Sequence, residues 1–252
     1  MKGVFQMDVS DTYNVPEVSI VVPVFNESQC LPEVLSEVVE TMEHTLGKTF
    51  EILVIDDGSS DSTARIAQDM ARVKPVIRVL RHNKNVGQSF AFHTGFQYAR
   101  GRFVVTMDGD GQNVPADIPL LVAKIGPACD CCCGYRGHRQ DTFWKRVGSR
   151  LANSVRNAVL RETIYDTGCS VKAFKSDFLR GLQPWNGMHR FLGSLVAMQG
   201  GRICQVEVRH RPRHAGESKY SNWGRLKRTI FDLMAVHWLK SRSRVYDVEV
   251  LK

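Results

Sequence analysis

Short apolar runs rich in valine and isoleucine alternate with helix-like stretches along the chain, and this alternation restricts the fold more than any other feature. The runs occupy residues 18–22, 52–55, 76–80, 103–107 and 203–208. Helices are predicted between the first four runs, at 31–46, 62–73 and 89–100, with Asp61 as the N-cap of the second. Apolar strands that alternate with helices indicate a parallel sheet covered on both sides. We therefore predict an α/β fold with a mostly parallel central sheet and helices on both faces.

The composition is that of an ordinary globular protein. Of the 252 residues, 43% are hydrophobic and 24% are charged, which excludes a disordered chain. The sequence has no apolar stretch of about 18 residues, the length that suggests a membrane-spanning helix. Its first 20 residues also lack the pattern of a secretory signal. We therefore expect a protein of the cytosol.

The seven cysteines are unevenly placed, with four crowded at positions 129, 131, 132 and 133. An odd number with this crowding does not resemble a disulfide framework, and the spacing does not match that of zinc ligands. We expect free thiols that act as small apolar side chains in a buried strand.

The formal net charge of +8 is concentrated near the C-terminus. Residues 200–244 hold 11 lysines and arginines against 3 acidic residues. Such a segment suggests an anionic partner. One alternative is a noncatalytic nucleic-acid-binding module that uses this segment. That alternative leaves the acidic residues described next unexplained, so we expect no nucleic-acid partner.

Polar residues follow three of the predicted strands directly. The sequences are Pro-Val-Phe-Asn-Glu at 23–27, Asp-Asp-Gly-Ser at 56–59 and Asp-Gly-Asp-Gly-Gln at 108–112. In a parallel sheet ligands bind at the carboxyl ends of the strands, so these residues should meet at one edge. Asp108, Asp110 and Gln112 could present oxygens to Mg²⁺, although a simple turn would also favour Asp and Gly. Asp56 is placed to accept hydrogen bonds from a nucleobase or ribose.

Two common phosphate-binding motifs are missing from the sequence. It has no G-x-G-x-x-G after the first strand and no G-x-x-x-x-G-K-[ST]. A dinucleotide dehydrogenase and a P-loop kinase are therefore disfavoured.

The motifs, taken in order, resemble those of family 2 glycosyltransferases. Besides the three strand ends, the resemblance rests on Asn-Val-Gly at 85–87, and the stretches 166–169 and 210–220 are similar to the polyprenyl-phosphate, dolichol-phosphate mannosyltransferase-like branch. The resemblance covers about residues 17–240. It implies a GT-A type, Rossmann-like nucleotide-sugar-binding fold. The implied activity is transfer of a hexose-type sugar from a GDP- or UDP-sugar, with inversion and with Mg²⁺ or Mn²⁺ as cofactor.

The resemblance also assigns roles to individual residues. The implied nucleotide-sugar-binding residues are Pro23, Phe25, Glu27, Asp56, Asp108, Gly109, Arg136, Arg213 and Lys219. The implied metal ligands are Asp108, Asp110 and Gln112. The candidate catalytic residues are Asp110, Arg136, Asp166, His189 and Arg190. Cations placed around the departing diphosphate would stabilise the charge that develops on it.

The acceptor can be inferred from the region around residues 187–191. Chain-elongating relatives carry an acidic Glu-Asp base and a Gln-x-x-Arg-Trp motif, whereas this chain reads Gly-Met-His-Arg-Phe. A sugar hydroxyl needs a general base, but a lipid phosphate is already an anion and needs only positioning. This favours a polyprenyl phosphate acceptor, held by Arg146, Arg150 or Arg190. The alternative is a glycan or lipid hydroxyl with His189 or Asp166 as the base.

The sequence divides into three parts. We predict an N-terminal extension over 1–16, a catalytic domain over 17–220 and a basic amphipathic segment over 221–252. The last part has a helical apolar stripe formed by Trp223, Leu226, Ile230, Met234 and Trp238. This helix could lie in the headgroup layer of an anionic membrane or pack on the catalytic core. The first alternative implies a peripheral protein at the cytoplasmic face of a membrane.

Overall fold

A twisted sheet of seven strands forms the centre of the part of the chain that the structure describes. The structure is a computed structural model that describes residues 15–137, 143–212, 222–246 and 249, and the side chains of 46, 143–151 and 222–228 are outside the description. The strands are β1 (Val18–Val24), β2 (Phe50–Asp56), β3 (Ile77–Arg81), β4 (Phe103–Thr106), β5 (Cys131–Tyr135), β6 (Lys172–Lys175) and β7 (Ile203–Glu207).

The strand order is β3-β2-β1-β4-β6-β5-β7, and β6 alone runs against its neighbours in this sheet. All the other pairs are parallel. The predicted α/β fold with a mostly parallel sheet is therefore confirmed. The reversal of β6 was not predicted, and it brings the segment before β6 to the edge where the other strands end.

Helices cover both faces of the sheet. They are α1 (Leu31–Thr41), α2 (Thr63–Val73), α3 (Gln88–Tyr98), α4 (Ile118–Lys124), α5 (Phe143–Leu160), α6 (Asp177–Arg180), α7 (Leu192–Met198) and α8 (Asn222–Arg242). Helix α1 continues into a π-helical turn at Met42–Leu46. The helices predicted between the first four strands thus agree with the structure to within a few residues.

The alternation of β1 residues between the two faces explains why this strand reads as a continuous apolar run. Ile20 and Val22 belong to a core cluster with α1 and α4, whereas Val21 belongs to a second cluster with Phe92 and Phe96 of α3. Because both faces are buried, apolar side chains are needed at successive positions.

The expectation that the crowded cysteines are free thiols is wrong for one of them. Cys129 forms a disulfide with Cys204 of β7, 75 residues later in the sequence. The two approach because β5, which Cys129 precedes, pairs in parallel with β7. Cys131, Cys132 and Cys133 are free and buried in β5, as expected.

Over residues 229–242, whose side chains the structure describes, helix α8 packs on the rest of the protein through one side. Val236 is buried in the second core cluster, and Nζ of Lys240 donates a hydrogen bond to the carbonyl oxygen of Leu160 at the end of α5. The opposite side exposes Ile230, Met234 and Trp238 by 50–62%. Within the described residues, no helix has the length and apolar character needed to cross a membrane.

Candidate functional site

The carboxyl ends of β1, β2 and β4 meet at one edge of the sheet. Val24, the last residue of β1, pairs with Asp56, the last residue of β2. On the other side of β1, Val21 pairs with Thr106, two residues before Asp108. Pro23 lies within β1, and Phe25 and Glu27 follow it in partly buried positions. The edge therefore collects the acidic residues that the sequence analysis singled out.

Asp56 is fully buried at this edge. Its Oδ1 accepts a hydrogen bond of 3.2 Å from the backbone N–H of Ser59. Its Oδ2 lies 2.9 Å from Nε of Arg81, an ion pair in which no described group donates a hydrogen bond to Oδ2. A buried carboxylate oxygen with unused acceptor capacity suits a ligand N–H or O–H donor.

Asp57, which the sequence analysis did not assign, holds the loop after β3 in place. Its carboxylate accepts hydrogen bonds from the backbone N–H groups of Val86 and Gly87, at 3.0 and 2.7 Å. It also contacts Nδ1 of His82 at 2.7 Å. The close approach depends on Gly58 (φ +72°), where a Cβ atom would lie 2.6 Å from the carbonyl carbon of Lys84. Asp57 thus fixes the Asn-Val-Gly stretch beside the strand ends.

The Asp108–Gln112 turn places two carboxylates close together. The backbone N–H of Asp108 donates to Oδ1 of Asn113 at 2.9 Å, and that of Gln112 donates to Oδ1 of Asp110 at 3.1 Å. Gly109 packs against β1, and a Cβ there would lie 2.6 Å from Cγ1 of Val24. These contacts fix the turn on the sheet and hold Asp108 and Asp110 on it.

The electrostatics of the turn favour a bound cation. The pKa of Asp108 is raised to about 6, first because the carboxyl group is buried and second because the negative charge of Asp110 lies nearby. A divalent cation between two such carboxylates would reverse this effect. Among the described residues no three His, Cys, Asp or Glu side chains form a complete metal site. Two carboxylates completed by substrate phosphates is the arrangement typical of Mg²⁺.

Two candidate catalytic residues, Arg136 and Asp166, form an ion pair. Nε and Nη2 of Arg136 donate to the two oxygens of Asp166 at 2.7 and 3.0 Å. Asp166 also accepts the backbone N–H of Gly168 at 3.2 Å, so it caps the turn there. Asp166 therefore orients Arg136, whose positive charge offsets a small part of the rise in the pKa of Asp108.

His189 and Arg190 lie together on a 3-10 turn at Met188–Phe191. Nδ1 of His189 is 2.7 Å from Oγ of Ser89, which also accepts the backbone N–H of Gly187 at 2.9 Å. Nη1 of Arg190 donates to Oγ1 of Thr229 on α8 at 2.7 Å. Ser89 and Thr229 were not recognised in the sequence, because they lie 100 and 39 residues from their partners.

A cavity of about 190 Å³ lies between Asp108 and the 3-10 turn that carries His189 and Arg190. Its lining includes Asp108, Ser170, Lys172, His189 and Arg190. Gln88 also lines it and donates a hydrogen bond of 2.7 Å from Nε2 to Oδ1 of Asp108. The site therefore continues from the strand ends into a polar chamber under α3 and the 3-10 turn.

Four predicted site residues cannot be placed with the others. Arg213 and Lys219 lie outside the described residues. Arg146 and Arg150 lie on α5, but their side chains are outside the description. Their binding roles, like those of the residues placed above, stay predictions.

Comparisons with known proteins agree with this geometry. The model of the family described as "Glycosyl transferase family 2" matches residues 19–182. Over 220 residues the chain is 36% identical to an undecaprenyl-phosphate 4-deoxy-4-formamido-L-arabinose transferase from Enterobacter sp. (strain 638). The match covers 86% of this chain and 66% of that relative, so the chain spans slightly under two thirds of its length.

Solved structures with the same fold come from two other organisms. The mannosyltransferase PcManGT from Pyrobaculum calidifontis, in complex with GDP-Man and Mn²⁺, aligns with a TM-score of 0.64 at 21% identity, over 91% of this chain and 65% of that one. Glucosyl-3-phosphoglycerate synthase from Mycobacterium tuberculosis, in complex with Mn²⁺ and UDP-glucose, aligns with a TM-score of 0.68 at 20% identity, over 92% and 80%. The predicted GT-A type fold is confirmed.

Proposed function

Because this chain belongs to glycosyl transferase family 2, we propose that it transfers a sugar from a nucleotide diphosphate to a polyprenyl phosphate. The observation that carries the proposal is the convergence of Asp56, Asp108 and Asp110 at one sheet edge, beside a polar cavity. The 36% identical relative, whose name contains undecaprenyl phosphate, supports the acceptor class. The sugar is of the hexose type, carried by GDP or UDP.

The nucleotide would bind along the ends of β1 and β2. Oδ2 of the buried Asp56 would accept a hydrogen bond from the base or ribose, and the partly buried Phe25 would offer an aromatic face. Pro23, Glu27 and Gly109 would also contact the nucleotide sugar. Arg136, oriented by Asp166, would contact the diphosphate, together with Arg213 and Lys219.

Asp108 and Asp110 would hold the divalent ion, Mg²⁺ or Mn²⁺, with Gln112 next to them. The fit rests on two neighbouring carboxylates, since burial of the carboxyl group and then the negative charge of Asp110 raise the pKa of Asp108 to about 6. When bound, the ion neutralises charge on the diphosphate that leaves. The chain's own part is to hold the carboxylates in place through Asn113 and the backbone of Gln112.

The acceptor phosphate would attack the anomeric carbon from the face opposite the diphosphate. A phosphate oxygen forms the new bond to carbon, and the carbon–oxygen bond to the diphosphate breaks with its electron pair on the leaving group, which inverts the configuration. The phosphate monoester is largely dianionic at pH 7, so no proton has to be removed. His189 as a base for a hydroxyl acceptor is the second candidate, because it lines the same cavity.

The acceptor classes can be separated by a direct assay. Purified protein is incubated with labelled nucleotide sugars, Mn²⁺ and either a polyprenyl phosphate or the matching neutral polyprenol. Product is expected with the phosphate alone, since its oxygen needs no base. Product with the neutral alcohol alone would contradict the proposal and favour His189 as a base.

A stability screen would identify the donor. At a concentration of a hundred times its Kd, a ligand that binds only the native state stabilises it by about 2.7 kcal/mol. For a protein of this size this corresponds to a rise in Tm of roughly 5–10 °C. We expect the rise with one nucleotide sugar and Mn²⁺ together, and little with either alone. A screen in which no nucleotide sugar raises Tm would contradict donor binding.

We also propose that α8 attaches the protein to the cytoplasmic face of a membrane, as a peripheral contact. Its outer side exposes Ile230, Phe231, Met234 and Trp238, and the surrounding segment 200–244 carries a large excess of positive charge. An apolar stripe flanked by basic residues suits anionic lipid headgroups. The boundary at residue 220 between a catalytic domain and a basic segment belongs to the same proposal.

Vesicle binding tests this contact. The double variant Phe231→Glu with Trp238→Glu should lose at least tenfold in binding to vesicles that contain phosphatidylserine, because charged groups replace the inserted side chains. Val73→Glu is the matched control: Val73 is 77% exposed on α2, which covers the other face of the sheet. Equal binding by both variants would rule out the assigned surface.

A further inference from the structure

Lys172 is a buried cation that the mechanism above does not use. It opens β6, is only 3% exposed and lines the cavity beside Asp108. Its Nζ donates a hydrogen bond to the carbonyl oxygen of Cys169. Within the described part of the chain, no carboxylate forms an ion pair with Lys172. An ammonium group has three N–H donors, so this contact uses only part of its capacity.

A buried ammonium without a paired anion is unfavourable, because it has lost hydration. The positive charge of Lys172 offsets part of the rise in the pKa of Asp108, but the two side chains do not form an ion pair. Proteins seldom keep such a charge buried unless it is compensated. The missing compensation points to an anionic ligand.

The other residues that line the cavity also favour an anionic ligand. His189 and Arg190 bring cationic or hydrogen-bonding groups to its wall, and Thr167 and Ser170 bring hydroxyl groups. Asp108 is the only carboxylate among its described lining residues, and it would be engaged by the divalent ion. Once that ion is bound, the cavity has an excess of positive charge and hydrogen-bond donors, which suits a phosphate group.

We propose that this cavity binds the phosphate group of the acceptor, with Lys172 as the buried counter-ion that holds it. The inference rests on the proposed function and assigns a location and a residue to its acceptor. Nζ of Lys172 donates hydrogen bonds to phosphate oxygens that do not react. The remaining oxygen attacks the anomeric carbon, and the nucleotide diphosphate leaves with the bonding electron pair. Lys172 keeps its proton throughout.

The test compares Lys172→Met, Lys172→Arg and a matched control, Lys175→Met. Lys175 lies on the same strand but pairs with Asp130 at 2.5 Å and does not line the cavity. Each variant is first checked for folding by circular dichroism and thermal unfolding. The KM for a short-chain polyprenyl phosphate, the KM for the donor and inhibition by inorganic phosphate are then measured.

We expect Lys172→Met to raise the acceptor KM by roughly ten- to a hundredfold, the effect of losing a hydrogen bond to a charged group. The donor KM should change less than threefold, and inhibition by inorganic phosphate should weaken in parallel with acceptor binding. Lys172→Arg should recover part of the acceptor affinity, since it restores the charge. Lys175→Met should leave both KM values unchanged.

Two results would overturn the assignment. One is an unchanged acceptor KM in a folded Lys172→Met variant. The other is an equal loss of donor and acceptor binding, which would show that Lys172 acts indirectly, through Asp108, and not on the acceptor phosphate. If the wild-type protein transfers sugar only to neutral alcohols, the proposed function fails instead. Inorganic phosphate then still tests the cavity, through a rise in Tm that depends on Lys172.

Discussion

Replacing Asp110 by asparagine is expected to reduce sugar transfer by roughly a hundred- to a thousandfold. The side chain keeps its shape, and its amide oxygen can still accept the hydrogen bond that Gln112 donates to Oδ1. The turn should therefore fold, while the pair of carboxylates loses one of its two charges. Loss of a single group that stabilises charge in a transition state typically costs this much. The effect should fall on kcat and on the Mn²⁺ requirement.

The measurement combines steady-state kinetics with thermal unfolding. In the Asp110→Asn variant the part of the Tm rise that needs Mn²⁺ should disappear, and Tm without ligand should stay within about 2 °C of wild type. Asp69→Asn is the control: Asp69 lies on the exposed side of α2, and its surface ion pair with Arg72 should contribute little. A variant that keeps the full Mn²⁺-dependent shift would refute Asp110 as a ligand.

Reduction of the Cys129–Cys204 disulfide is expected to lower stability by roughly 4 kcal/mol, given the 75 residues that separate the two cysteines. For a chain of this length the fall in Tm would be roughly 10 °C. The expectation applies to protein purified under oxidising conditions. In a reducing cytosol such bonds are rare, and the two thiols would then be separate.

Thiol counting in denaturant provides the direct check. Five of the seven cysteines should react before reduction and all seven after it. The Cys204→Ser variant should have the lower Tm already, and a reducing agent should not shift it further. If all seven thiols react without reduction, the bridge is absent from the purified protein.

The parts of the fold that could be predicted from sequence are those with strong local patterns. Strands β1 to β4 and helices α1 to α3 follow from continuous apolar runs and helical spacing, since both faces of this region are buried. Strand β6 was not predicted, because its sequence Lys-Ala-Phe-Lys resembles an exposed segment. Its burial depends on its pairing with β4 and β5, and no local sequence pattern shows which strands are neighbours in the sheet.

In the candidate site, too, local sequence patterns predicted some residues, whereas others depend on contacts between distant parts of the chain. Asp56, Asp108 and Asp110 were found because each follows an apolar strand. The pairing of Arg136 with Asp166 joins residues 30 apart and requires β5 and β6 to be neighbours. Lys172 was missed for a related reason: lysine is normally a surface residue, and only the structure shows that this one is buried in a cavity.

The antiparallel pairing of β6 makes the position of the Lys172 charge sensitive to the register of the strands. Thr106 pairs with Lys172, and Val105 with Ala173. Adjacent residues of a strand point to opposite faces, so a shift of one residue would exchange them. Ala173 would then face the cavity, while the ammonium group would be pushed among the aliphatic side chains of the opposite layer. The lysine that we assign to the acceptor should therefore also destabilise a shifted register of β6 during folding.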